Sequence, residues 1–146
     1  MNIRIMSISD YEAVFNLWLS CSGMGLNNLD DSRDGIARFL QRNPDCCFIA
    51  EENEKIVGSV MAGHDGRRGH IYHMAVAPDH RRQKVGSMLL DHALSALHKQ
   101  GIHKVALVVF ESNTEGNAFW ENHGFTQRKD LIYRNRVIEK IESTDT

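Results

Sequence analysis

From Met74, Ala75 and Val76 the chain passes through Pro78, Asp79 and His80 into a basic turn of Arg81, Arg82, Gln83 and Lys84. Val85, Gly86 and Ser87 then open an apolar-periodic helix. Such a turn gathers backbone N–H groups at the positive end of a helix dipole, which suits an anion. Arg81, Arg82 and Lys84 add side-chain charge, so a diphosphate fits better than a single carboxylate. The same letters also describe an ordinary strand-to-helix connection with a solvated basic surface, and the local pattern does not separate the two. Other phosphate loops are poorer matches. The chain has no G-x-x-x-x-G-K-[ST], and Gly86 stands without the two companions of a dinucleotide fingerprint.

What remains is R-x-x-G-x-G, with Arg81 first, Lys84 in place of the usual glycine and Gly86 last. Preceded by the strand text of residues 71–78, it resembles the pyrophosphate loop of the GNAT superfamily of acyl-CoA-dependent N-acyltransferases. A second stretch, residues 113–125, is similar to that superfamily's N-x-x-A-x-x-[LF]-Y-x-x-x-G-[FY]. The resemblance implies a loop (Arg81, Arg82, Gln83, Lys84, Val85, Gly86, Ser87) that holds the diphosphate of coenzyme A, mostly through backbone N–H groups. It implies a thioester carbonyl set against a backbone donor of Met74, Ala75 or Val76, where the family strand carries a bulge and splays. Asn113 would contact the pantetheine arm while also capping its helix, and Phe119 and Trp120 would line the far side of the cofactor. Lys84 can present its N–H as glycine does if its φ is negative, and that conformation is expected here. The implied cosubstrate is acetyl-CoA, with no metal.

The resemblance places a tyrosine, commonly the acid that protonates the departing thiolate, where this chain has Trp120. An indole N–H donates a hydrogen bond but does not release a proton near neutrality. Water, Tyr133 or Tyr72 is left to supply one. A thiolate leaves tolerably unaided in any case, since a thiol pKa is about 8.5. For the base that frees the acceptor amine, His70 occupies the position of the family's carboxylate, and Glu111 is the second candidate. A surface histidine closing a hairpin is the plainer account of His70. Strand alternation predicts that His73 faces away from His70, so the two would not share a metal.

The resemblance implies that acceptor choice falls to the first two helices, their loop and the end of the hairpin between the third and fourth strands. Trp18, Asn28, Asp31 and Arg67 are the candidate contacts, among neighbours Met24, Asn27, Asp30, Arg33 and Arg68. Asp30 and Asp31 suit an amine, and Arg67 and Arg68 suit a carboxylate. The expected reaction is acetyl transfer to a primary amine of a small molecule, amino acid or peptide by direct attack. A non-catalytic acyl-CoA-binding regulator is the alternative, and a nucleotide-binding module reading the basic loop is a third.

These groups need a scaffold, and periodicity supplies one. Strands are predicted at residues 3–6, 47–51, 56–63, 70–77 and 105–110, the last as a central strand, with a terminal hairpin over 125–138. Helices are predicted behind a capping box at Ser9 and Glu12, then over 32–42, 87–100 and 115–123. Asp65 and Gly66 mark a hairpin turn. The order βααβββαβαββ gives a mixed α/β sheet containing one right-handed β-α-β unit, the GNAT-type order, in which the resemblance implies splayed central parallel strands. Residues after 141 should be frayed.

At 146 residues, 42% hydrophobic and 25% charged, the whole chain makes one soluble domain, residues 1–146. A net charge of −2 argues against nucleic acid as a partner. Cys21, Cys46 and Cys47 follow no disulfide or zinc spacing and read as buried thiols. The longest apolar run is too short to span a bilayer, so a cytoplasmic protein without a membrane partner is expected. A homodimer is left open.

Overall fold

A computed structural model describes residues 1–144. The strands are β1 (Asn2–Ile5), β2 (Phe48–Glu52), β3 (Lys55–His64), β4 (Gly69–Val76) and β5 (Val105–Leu107). The helices are α1 (Tyr11–Leu19), α2 (Arg33–Arg42), α3 (Val85–Lys99) and α4 (Thr114–Asn122). The strands lie side by side in chain order, antiparallel except for the parallel pair of β4 and β5. Both faces of the sheet are covered. Residues 57–63 of β3 are buried without a break, as a strand sandwiched between two helical layers requires. Residues 47–50, leading into and along β2, part company by alternation. Phe48 and Ala50 join Val85, Leu89, Leu90, Ala93 and Leu97 of α3. Cys47 and Ile49 join Tyr11, Val14, Leu17 and Trp18 of α1 with Ile36 and Leu40 of α2. Each large apolar side chain buried this way contributes about 1.5–3 kcal/mol. Among the described residues no helix is long and apolar enough to cross a membrane.

The first helix is entered differently from the expected capping box. Ser7, not Ser9, is the cap, and the Asp10 carboxylate accepts the Ser7 N–H at 2.9 Å. A short 3-10 turn at Ile8–Asp10 precedes α1, which moves the reciprocal pair two residues earlier. Arg4 secures the junction by donating to both Asp10 oxygens at 2.8 and 3.0 Å and to Glu51 at 2.7 Å. Burial of Asp10 raises its pKa, but the hydrogen bonds from Arg4 and Ser7 outweigh it and hold the carboxyl below its ordinary value.

Two features of the sheet shape the site. The register of β3 with β4 runs from Met61↔His73 to Ala62↔Ile71, leaving Tyr72 as an extra residue. The bulge therefore lies at Tyr72, ahead of the Met74 to Val76 stretch where it was expected. The β4–β5 pairing covers only Gly69↔Val105 to Ile71↔Leu107. Beyond it β4 continues to Val76 paired only with β3, and residues 108–110 form no strand, so β4 and the chain after β5 part as a wedge.

The carboxyl-terminal expectations fail. β5 is a three-residue edge strand instead of a central one, and residues 126–141 form no hairpin. Leu131, Ile132, Tyr133, Val137 and Ile138 are exposed there. Charges at Arg128, Lys129, Asp130, Arg134 and Arg136 interrupt the apolar pattern, and the early end of β5 leaves no strand to pair with. The segment beyond 141 is anchored instead of frayed. The Asn28 N–H donates to the Glu142 carbonyl at 2.9 Å, and the Thr144 N–H to that of Leu26 at 3.1 Å. Residues 145–146 lie outside the described part.

Candidate active site

The wedge opens a cavity of about 880 Å³. Residues 70–76 of β4 form one wall and residues 107–110 the other, with the basic turn at one end and residues 21–25 across the opening. Tyr72 to Val76 present a sheet edge with no strand partner on the β5 side, so alternate N–H groups there are open to the cavity.

At the basic end, α3 differs from α2 and α4. Ser32 caps α2 by accepting the Gly35 N–H at 3.0 Å, and Asn113 caps α4 by accepting that of Gly116 at 2.9 Å. The fifteen-residue α3 has no side-chain cap and no acid in its first turn, and its N-cap residue is Lys84. The first i to i−4 bond joins the Met88 N–H to the Lys84 carbonyl, leaving the N–H groups of Val85, Gly86 and Ser87 without helical partners. Lys84 has φ 64°, contrary to the negative value expected, and Arg82 has φ 66°. The loop demands the left-handed geometry whichever residue occupies it, and the lysine adopts it at a cost. Arg81 donates to the Val76 carbonyl at 3.3 Å and lies 3.9 Å from Glu115. His80, which also lines the cavity, has its pKa raised by hydrogen bonds with Asp79 and Glu52.

Arg81, Arg82, Lys84, Val85, Gly86 and Ser87 all line the cavity, as do Met74, Ala75 and Val76; Gln83 does not. The Ser87 hydroxyl is engaged with His123 Nε2 at 2.8 Å, so Ser87 offers the cavity its backbone N–H. A Cβ on Gly86 would stand 3.1 Å from the Phe119 ring, which shows how closely α4 seats on the first turn of α3. Asn113, Phe119 and Trp120 line the same wall. Trp120 is buried edge-on against both Phe119 and Phe125.

At the other end stand His70, Tyr72, His73 and Tyr133. The bulge overturns the expected opposition of the two histidines. Tyr72 meets His70 at 4.4 Å and Phe39 of α2 at 5.3 Å between ring centroids, and His73 meets Trp18 of α1 at 4.8 Å. One extra residue after His70 restores both rings to the α1–α2 face. Burial lowers the His70 pKa below its ordinary value, which keeps the ring neutral near pH 7. His73 Nε2 lies 2.7 Å from Asp31 Oδ1.

Several expected contacts stand elsewhere. Glu111 is exposed in the turn after β5 and does not line the cavity. Trp18 is fully buried behind His73, and Asp31 is buried too, with its other oxygen accepting the Asn27 N–H at 2.8 Å. Asn28 Oδ1 accepts the Glu142 N–H at 2.6 Å. Arg67 lies in the exposed β3–β4 turn, where its N–H donates to Asp65 at 2.8 Å. None of these four acceptor candidates lines the cavity. Sequence reasoning missed His73, Cys21, Gly23, Gly25, Phe110 and Glu115 as lining residues. For His73 the signal was a one-residue bulge, which alternation counting does not register.

A mixed sheet that splays beside a cation-flanked helix N-terminus without a side-chain cap forms an open cleft in a βαβ frame. Residues 11–125 match the acetyltransferase (GNAT) family. An acetyltransferase of Pectobacterium atrosepticum is 35% identical over 142 residues, covering 97% of this chain and 99% of that one. Ard1 from Thermoplasma volcanium superposes with a TM-score of 0.76 at 25% identity, over 86% of this chain and 82% of that one. The PaiA N-acetyltransferase from Thermoplasma acidophilum, solved in complex with coenzyme A, superposes with a TM-score of 0.74 at 20% identity, over 86% and 89%. The chain belongs to the acetyltransferase (GNAT) family, and it is an acyltransferase.

Proposed function

We propose that the protein transfers an acetyl group from acetyl-CoA to a primary amine of an amino acid, peptide or small molecule by direct attack. The observation that carries this reading is the α3 N-terminus: uncapped, flanked by Arg81, Arg82 and Lys84, and open to an 880 Å³ wedge. A diphosphate there would satisfy three orphan N–H groups and offset cations that otherwise stand unfavourably at the positive end of a helix. The pantetheine arm would then lie along the free edge of β4, past Asn113, Phe119 and Trp120. An open N–H among Met74, Ala75 and Val76 would stabilise the oxyanion. The amine nitrogen attacks the thioester carbon, the C–N bond forms, and the C–S bond breaks with its electron pair going to sulfur. Trp120 serves as an apolar wall, so water or the hydroxyl of Tyr133 or Tyr72 protonates the thiolate. Three buried, unpaired thiols fit a reducing cytoplasm.

The cavity narrows the acceptor. Its only lining carboxylate is Glu115, among the described residues, and that lies beside Arg81 at the basic end. Asp31 is taken up by His73, and Asp30 by the Asn27 amide at 3.0 Å. The acceptor end thus offers rings and no free acid, which favours an aminoacyl amine over a polyamine. Thiol release from acetyl-CoA with alaninamide, phenylalaninamide and spermidine tests the proposal. Turnover with the aminoacyl amides and little with spermidine is expected. Coenzyme A binding without turnover of any amine would instead mark a non-catalytic binder, the reading that Trp120 favours.

A further inference from the structure

Between the end of β4 and the basic turn the chain makes a single 3-10 turn, Pro78–His80. Its backbone is fixed at both ends, where the Ala77 N–H donates to the Val57 carbonyl and the His80 N–H to that of Ala77, each at 2.8 Å. The His80 ring then reaches back to the sheet. Its Nε2 lies 2.8 Å from Glu52 Oε2 at the end of β2, and its Nδ1 lies 2.8 Å from Asp79 Oδ1. A neutral imidazole has one N–H and one lone pair, whereas an ionised carboxylate can only accept. Two carboxylates on one ring are therefore satisfied together only when both nitrogens carry hydrogen. The geometry is that of an imidazolium, and the hydrogen bonds with Asp79 and Glu52 raise the pKa of the ring accordingly. The ring is partly exposed, so it exchanges protons with solvent, and it lines the cavity beside Arg81, Arg82 and Lys84.

We infer that His80, as an imidazolium, is the positioning residue of the diphosphate loop, and that its deprotonation weakens the hold on coenzyme A. The inference deepens the binding site proposed above and rests on that reading. Loss of the proton leaves two carboxylates without a cation between them, at the end of the cavity that has to accept a diphosphate. One ring nitrogen then turns a lone pair toward a carboxylate, so the contact with Asp79 or with Glu52 is given up. Release from Glu52 frees the turn from β2, and with it Arg81, the next residue, which donates to the Val76 carbonyl at 3.3 Å. Both consequences have one sign: affinity falls as pH climbs through the raised pKa of the ring. Charges face the ring and its turn from each neighbouring element. They are Glu52 of β2, Lys55 of β3, Asp79 of the turn, Arg81, Arg82 and Lys84 of the loop, and Glu115 of α4. Of these side-chain types only histidine ordinarily titrates between about pH 5 and 8. By reciprocity, coenzyme A must strengthen the hold of His80 on its proton.

Calorimetric titration of coenzyme A into the wild type and into His80→Gln, from about pH 6 to about pH 9, tests this. The terminal phosphate monoester of coenzyme A titrates near about pH 6 in both experiments, so the ratio of the two affinities is the readout. The wild type should bind about fivefold tighter near pH 6, and the two proteins should converge near about pH 9. In buffers of differing ionisation enthalpy, the wild type should take up more protons on binding than the variant does at about pH 7 to 8. A ratio constant across pH, equal affinities near pH 6, or equal proton uptake would overturn the inference. A wild type that binds no coenzyme A at any pH would instead remove the reading of the site beneath it. One measurement needs no variant to fold. Imidazole nitrogen NMR should place the His80 midpoint above the ordinary histidine value of about 6.5 and move it upward when coenzyme A is added. A midpoint that coenzyme A lowers or leaves in place would contradict the assignment.

Discussion

Lys84 sits at φ 64° and ψ 18°, a conformation in which an L side chain crowds its own backbone at a cost of about 1–2 kcal/mol. Strain of this kind persists where surrounding structure demands it, and here it sets the turn that aims the α3 N–H groups into the wedge. Replacing Lys84 with glycine removes the crowding and one positive charge together. Lys84→Gly should therefore raise stability by about 1 kcal/mol in urea denaturation, with an unchanged slope, and weaken coenzyme A binding. A loss of stability would mean that the lysine side chain makes a compensating contact. The basic turn and the Asn113 motif were legible in the sequence because residue types alone name them. The sign of φ at Lys84 was not, because the loop dictates it and the residue merely complies. Asp31 was singled out as an acceptor contact, and the structure instead turns its carboxylate toward His73.

Among the elements, α3 has the most exacting seat. It packs on β3 at Gly58, where a Cβ would stand 2.9 Å from Val85 Cγ1 and 3.0 Å from Leu89 Cδ1. Gly58→Ala should cost about 1–3 kcal/mol in denaturation experiments and should also loosen coenzyme A binding. The two effects belong together, because Val85 is the first residue of α3 and the displaced turn is the phosphate end. A stability loss with intact affinity would show that the turn holds its shape independently of the seat. The helices were readable from their 3.6-residue period, and α2 and α3 fall within about two residues of the predicted bounds. The bulge at Tyr72 and the early end of β5 were not, since both depend on which residues a neighbouring strand presents. Those two irregularities make the wedge and bring His73 into it.

At the scale of the molecule, the sheet is covered on both faces and a cavity of about 880 Å³ opens where β4 and β5 diverge. The terminal segment returns to the α1–α2 loop through Glu142 and Thr144, close in sequence to the Asn27 and Asp31 that support His73. The resemblance in the sequence extended over nearly the whole chain and anticipated the sheet up to β5. It failed beyond residue 125, where charges interrupt the apolar pattern and no strand awaits the tail. The central claim is that the α3 N-terminus holds the diphosphate of coenzyme A in this wedge. Calorimetric titration with coenzyme A and, in parallel, with pantetheine, which lacks the diphosphate, tests it most directly. Saturable binding of coenzyme A with a dissociation constant in the range of about 1 μM to 1 mM, and much weaker binding of pantetheine, is the result the account predicts. No heat with coenzyme A, or equal affinity for the two compounds, would contradict it.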